Sequence, residues 1–290
     1  MIKPLNHVGG RSRDRQSTSL TSFLGMSLLS ALLLLSSGSY VAADERIRIG
    51  AEDDWYPFSA LRDEHIQGMS VDIVRAAFAA GGAQIELQSY PYTRCMQLSL
   101  KGVLAGCFNT TPTASTRAQY LLPEEPLFSD DIVLWARKDY PLASITPTQL
   151  AGHSIAVTSG YEYGTGFDSD TRFKRVFVRR DLHGFRMVEH NRVDFVVAFR
   201  TVAHSLFREY NDLTDEFKPL LIVARPKLYL SFSRVNPHSP TLIQQFDRGM
   251  RAIRADGRYL QILDHWQHTQ SADQPAPNYT TGKHGKADAR

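Results

Sequence analysis

The chain of 290 residues has little that would serve several familiar chemistries. It contains two cysteines, Cys95 and Cys107, with no histidine near either, so a zinc cluster is not indicated. Its 10 histidines show no ligand spacing, and no HExxH, GxSxG, GxGxxG or phosphate-loop pattern occurs, which argues against metalloenzyme, serine hydrolase and nucleotide-binding chemistry. A basic excess is also missing once the N-terminal segment is set apart. Of 33 Lys and Arg and 30 Asp and Glu, residues 1–43 hold Lys3, Arg11, Arg13 and Arg15 against Asp14 alone, leaving 29 of each sign. A neutral remainder without a basic stripe gives no case for nucleic acid or an anionic membrane surface. The only long apolar run, Phe23 to Leu35, is short for a bilayer span.

That run fits a secretory signal instead. Arg11, Arg13 and Arg15 form a basic n-region, Phe23 to Leu35 the apolar core, and Val41, Ala42 and Ala43 a small-residue cleavage site. Residues 1–43 are therefore expected to be removed, with the rest exported to the periplasm. In an oxidising compartment Cys95 and Cys107 read naturally as a disulfide joining a helix to the next strand, although two separately buried thiols would give the same sequence. The tail, 269–290, has no apolar periodicity and reads as disordered.

Between these ends, strands alternate with helices. Arg46 to Gly50 alternates as a first strand and runs into Glu52, Asp53, Asp54, Trp55, Tyr56 and Phe58. Such a loop suits a ligand through stacking and carboxylate contacts, or simply plugs the core with its aromatics and solvates its acids. A helix follows with Ser70 as N-cap, Asp72 in its first turn, and Gly81 and Gly82 at its stop. Next come a strand from Ile85, a helix through Cys95 and Leu98, and an apolar strand from Val103 to Phe108. That strand opens into the polar stretch Asn109, Thr110, Thr111, Thr113 and then Arg117, either a solvated charge or a guanidinium clamp for a carboxylate. Asp131 to Arg137 reads as a strand leaving this unit, after which the pattern restarts with Ile155 to Val157, the loop Gly160–Tyr161, and Phe195 to Phe199. Leu228 to Ser233 returns the chain, and stripes at Leu242, Phe246, Met250, Ile253 and at Tyr259, Ile262, Leu263, Trp266 mark closing helices. The expected fold is α/β, with sheets largely parallel and ligand sites at strand C-terminal ends.

The stretches RIGAEDDWYPF, GMSVDIVRAAF, TPTASTR with PEEPLF, LAGHSIAVTSGYEYG, NRVDFVV and RADGRYLQILDHW stand in an order that resembles the extracytoplasmic solute-binding proteins of family 3, the polar amino-acid type of ABC-importer receptor. The likeness covers about Arg46 to Trp266. It implies a two-lobed periplasmic binding protein fold (type II) with two crossover hinge strands. Lobe 1 would comprise 44–136 and 231–268 and lobe 2 137–230, with hinges near Trp135 to Asp139 and Leu228 to Phe232. It implies a monomeric receptor, not an enzyme and without a cofactor, that closes on a small carboxylate-bearing solute, an amino acid or related organic acid, and serves a membrane permease. A periplasmic dehydratase on the same fold, or a ligand sensor for a partner protein, are the alternatives.

The resemblance assigns Arg117 to the ligand carboxylate, Thr110 to Thr113 to the lobe 1 loop, Trp55 to stacking, Glu52 to the ligand side chain, and Gly160 and Tyr161 to the lobe 2 loop. One departure stands out. Where the family carries an Asp for the ligand's α-ammonium, this chain has Phe199 and then Arg200. A cation facing Arg200 in a drying cleft would be repelled, so the expected ligand lacks a free α-ammonium, or has its cation met by Glu52 and Trp55; alternatively Arg200 points away and Glu162 substitutes.

Overall fold

The computed structural model describes residues 47–271. The signal segment 1–43 lies outside the described residues, as does the tail beyond Ser271. The chain opens with strand β1 (Ile47–Glu52), a small antiparallel sheet of β2 (Asp54–Trp55), β3 (Ser59–Arg62) and β4 (His65–Gln67), and helix α1 (Met69–Gly81). It continues through β5 (Ile85–Tyr90), α2 (Tyr92–Leu100), β6 (Gly106–Thr110), α3 (Ala114–Gln119), β7 (Tyr120–Leu121) and β8 (Phe128–Ser129). A second set follows: β9 (Ile132–Arg137), β10 (Ser154–Thr158), α4 (Thr165–Asp168), β11 (Lys174–Val178), α5 (Asp181–Glu189), β12 (Phe195–Phe199), α6 (Arg200–Glu209) and β13 (Phe217–Ala224). Strand β14 (Lys227–Ser233) and helices α7 (Ser239–Ala255) and α8 (Arg258–Ser271) return to the first set. Helix α8 thus runs past Thr269, where a disordered tail was expected to start, because Trp266 near its end is anchored, its indole N–H donating to Asp72 at 2.8 Å.

Two sheets build two lobes. The first has the order β5-β1-β6-β14-β7, with β1 parallel to β5 and β6 and β14 antiparallel to β6. The second has the order β11-β10-β12-β9-β13, in which β9 alone runs against the other four strands. Each lobe therefore keeps a parallel half whose strand ends point the same way, and these ends carry the cleft. The stripe Leu242, Phe246, Met250 and Ile253 of α7 is buried against α1. The helices meet so closely that a Cβ on Gly249 would lie 1.7 Å from the Ala77 carbonyl oxygen.

Three expectations shift. Helix α1 starts after Gly68, not at a Ser70 cap: Gly68 has φ 139° and presses on the Phe58 backbone, and the Ser70 hydroxyl instead donates to the Phe58 carbonyl at 2.6 Å. Val103 sits exposed in a turn, and the strand begins at Gly106. The crossings also move. Strand β9 pairs on both edges within the second sheet, so Trp135 is core and not a hinge, and the lobes join at Asp130–Asp131 and Arg225–Pro226. These polar residues are bound together, Arg225 Nε donating to Asp131 Oδ1 at 2.5 Å. Strand β14 likewise belongs to the first sheet from Lys227 onward. Cys95 of α2 and Cys107 of β6 form a disulfide. Among the described residues no helix is long and apolar enough to cross a membrane.

Candidate functional site: an acidic, aromatic cleft between the lobes

The parallel strands of the first lobe deliver their last residues to one place. Glu52 ends β1 and is buried, and Trp55 is held beside it by the β2–β3 ladder, in which it pairs with Ser59. At the end of β6, Asn109 is buried with φ 75°, a left-handed conformation that costs a non-glycine residue and is typical of functional loops. The chain then turns through Thr111 into α3, fixed by a reciprocal cap: the Thr113 hydroxyl accepts from the Thr116 N–H at 3.1 Å, and the Thr116 hydroxyl from the Thr113 N–H at 2.7 Å.

The second lobe answers from the ends of β10 and β12. After Thr158 the chain passes Gly160, with φ 84°, where a Cβ would stand 2.4 Å from the Thr93 hydroxyl of the first lobe. Only glycine allows that approach. It brings Tyr161 across to donate its hydroxyl to the Glu52 carboxylate, while the first lobe's Tyr92 donates to Glu162 at 2.9 Å. Phe199, at the end of β12, meets Trp55 edge-on at 4.9 Å.

These side chains enclose a cavity of about 10 Å³ walled by Glu52, Trp55, Tyr92, Asn109 and Thr111 on one side and Tyr161, Glu162 and Phe199 on the other. Its ionisable acids are the carboxyls of Glu52 and Glu162, and among the described residues no lysine or arginine lines it. Burial pushes Glu52 well above the ordinary carboxylate range, reinforced by Asp181, Asp53 and Asp54 and opposed by the Tyr161 hydrogen bond. Burial also raises Glu162 to about 8, against the Tyr92 hydrogen bond, and raises Asp181, behind the cleft and bonded to the Thr158 hydroxyl, to about 7. Three buried polar atoms of the lining, the Trp55 indole nitrogen and both side-chain heteroatoms of Asn109, have no hydrogen-bond partner among the described residues. Each such atom costs about 1–3 kcal/mol if it stays unpaired.

Of the residues singled out in the sequence, Glu52, Trp55, Asn109, Thr111, Tyr161 and Phe199 meet in this cavity. Thr110 lies buried beneath it with its hydroxyl directed to Met96 Sδ at 3.6 Å, Thr113 caps α3, and Gly160 makes the close contact described above. Tyr56 turns away, under the Arg62 guanidinium at 3.8 Å. Arg117 is exposed, one residue after the buried Thr116 of the capping box, and is not among the residues that wall this cavity. Arg200 also stays out. It opens α6 and is held by Asp131, its Nε 3.2 Å from Oδ2, so the expected repulsion of a cation falls away and Glu162 supplies an acid from the same lobe. Tyr92 was not singled out; an aromatic directly after β5, at a strand C-terminal end, was its only signal. Among the described residues no group of three or more His, Cys, Asp or Glu could hold a metal ion.

Residues 47–269 match the bacterial extracellular solute-binding proteins, family 3. The chain belongs to this family. It is 24% identical over 253 residues to the ABC transporter arginine-binding protein 1 of Escherichia coli (strain K12), covering 82% of this chain and 98% of that one. It is 23% identical to the arginine-binding periplasmic protein of Mannheimia haemolytica, over 81% and 97% of the two chains. The crystal structure of the substrate-binding protein of an amino acid ABC transporter shares its two-lobed fold, with a TM-score of 0.64 at 19% identity over 76% of this chain and 98% of that one. Glu52 and Glu162 are the two acidic groups that line this member's cleft.

Proposed function

We propose that the protein is a monomeric periplasmic receptor that captures a small cationic solute, a basic amino acid such as arginine or a related amine, and presents it to the permease of an ABC importer. The observation that carries this is the lining of the cleft, where two buried carboxylates and four aromatic rings stand without a basic side chain. A guanidinium or ammonium that enters as the lobes part, since the closed cavity has room only for about one water, is met by opposite charge and by ring faces, and its arrival favours the ionised carboxylates that burial alone disfavours. The earlier expectation of a carboxylate clamp at Arg117 gives way to neutral donors: the Trp55 indole N–H and the Asn109 amide are free to bond a solute carboxylate. Two relatives named for arginine binding support the class of solute, and the Cys95–Cys107 disulfide suits an oxidising compartment. The relatives are binding proteins by name, which supports binding, not turnover, as the activity.

A thermal-shift panel on the mature chain tests the proposal. Arginine, lysine and agmatine are expected to raise Tm by several degrees, as a ligand does when it binds only the folded state, with glutamate, succinate and neutral amino acids inactive. Stabilisation by dicarboxylates and none by the cations would overturn it.

A further inference from the structure

A larger cavity, of about 240 Å³, adjoins the central one and shares three of its walls, Glu52, Tyr92 and Tyr161. Side chains alone make this partition: the Tyr161 hydroxyl donates to the Glu52 carboxylate, and the Tyr92 and Tyr161 rings meet edge-on at 5.4 Å across the lobes. Beyond it the first lobe contributes Asp53 and the second lobe Phe177 and Arg179. Phe177 lies on β11, the edge strand of its sheet, and is 67% exposed, so its ring is open to a neighbour. The charges here fall into two sets. Asp54 and Arg180 are taken up with each other at 2.7 Å, whereas Asp53, half-buried, and Arg179, exposed, make no ion pair among the described residues. Burial and the neighbouring Asp54 push the Asp53 carboxyl above its ordinary range, opposed by Arg180 and Arg179. One acid and one guanidinium therefore face this cavity from opposite lobes, each without a contact partner.

We infer, resting on the cationic reading of the central cleft, that this cavity is an outer subsite of the receptor and that its solutes include dipeptides, with a basic residue in the central cleft and an apolar second residue outside it against Phe177. The closed central cavity has room for about one water, so a solute whose cation is held at Glu52 and Glu162 extends past the shared walls into the larger space. A dipeptide puts one free terminus there, and either kind meets an opposite charge: an N-terminal ammonium at Asp53 of the first lobe, or a C-terminal carboxylate at the Arg179 fork of the second. The side chain of the outer residue packs on the Phe177 ring, where an aromatic partner gains from offset or edge-on contact.

Calorimetric titration of the mature protein with arginine, phenylalanyl-arginine and arginyl-phenylalanine tests this. The dipeptides are expected to bind about tenfold or more tighter than arginine, the worth of one added hydrogen bond to a charged group. Phe177→Ala should reduce that advantage for both dipeptides, Asp53→Asn for phenylalanyl-arginine only, and Arg179→Gln for arginyl-phenylalanine only. A gain for one dipeptide alone would support the subsite and assign the terminus that it holds. Arginine by itself reports on the central cleft, and the ratio of dipeptide to arginine reports on the outer subsite, so the two readings fail separately. Arginine bound with neither dipeptide tighter would overturn the subsite and leave the cleft standing, as would an advantage that survives Phe177→Ala combined with the matching charge variant. No binding of arginine or of either dipeptide would overturn both.

Discussion

Replacing Glu162 by Gln is expected to weaken arginine binding by about 2–5 kcal/mol, or about 30-fold or more, the cost of removing one partner from a buried charge pair. The same substitution should flatten the pH dependence of the free protein's stability. Burial raises Glu162 in the folded state from its ordinary 4.5 to about 8, so between these values the folded chain holds a proton that the unfolded chain has released. Stability then falls as pH rises through that window, since the unfolded state binds fewer protons. Asp181, raised to about 7, contributes in the same direction, as does Glu52. Gln cannot ionise, so the Glu162→Gln protein should lose less stability from pH 4.5 to 8 than wild type while binding the cation poorly. Glu52→Gln should behave alike, with Glu124→Gln, an exposed surface change, as the control. Urea unfolding across that pH range and calorimetry at pH 7 give the two readouts; unchanged affinity in both cleft variants would remove the charge pair from the account.

The second large effect concerns the lobe that carries Glu52 and Asn109. The Cys95–Cys107 bridge closes a loop over a sequence separation of 12 and ties α2, whose first residue is Tyr92, to β6, which ends beside Asn109. Closing so short a loop should stabilise by about 3 kcal/mol, chiefly by restricting the unfolded chain. The Cys95→Ala/Cys107→Ala double variant should therefore unfold at a lower urea concentration, and wild type under reducing conditions should match it. Free-thiol titration finding two thiols in the oxidised, denatured protein would remove the bridge altogether.

Particular residues show why part of this was legible in the sequence and part was not. The alternation of strands and helices, the stripe of α7 and the cysteine pair follow from periodicity and spacing, which the fold preserves. Strand β9 misled because an apolar strand buried on both faces reads the same whichever sheet it joins, and only its pairing with β12 and β13 decides. Arg117 follows Thr116, which the cap at Thr113 turns inward, and its own side chain stays exposed, a difference of one position that residue type alone does not show. Arg200 could not be judged without Asp131, its partner 69 residues earlier in the chain. Glu162 and Tyr92 acquire meaning only when the lobes bring them together across 70 residues, a pairing with no local sequence signal.

The central claim is that the cleft selects positive charge, and comparing arginine with citrulline by isothermal titration calorimetry tests it most directly. The two differ in a guanidinium against a ureido group of nearly the same shape, so burial and the α-amino and carboxylate contacts are held constant. Paired acids in a dry cleft predict that arginine binds tighter than citrulline by about 30-fold or more, the same 2–5 kcal/mol expected for losing one side of the pair. Citrulline binding as tightly as arginine would contradict the account.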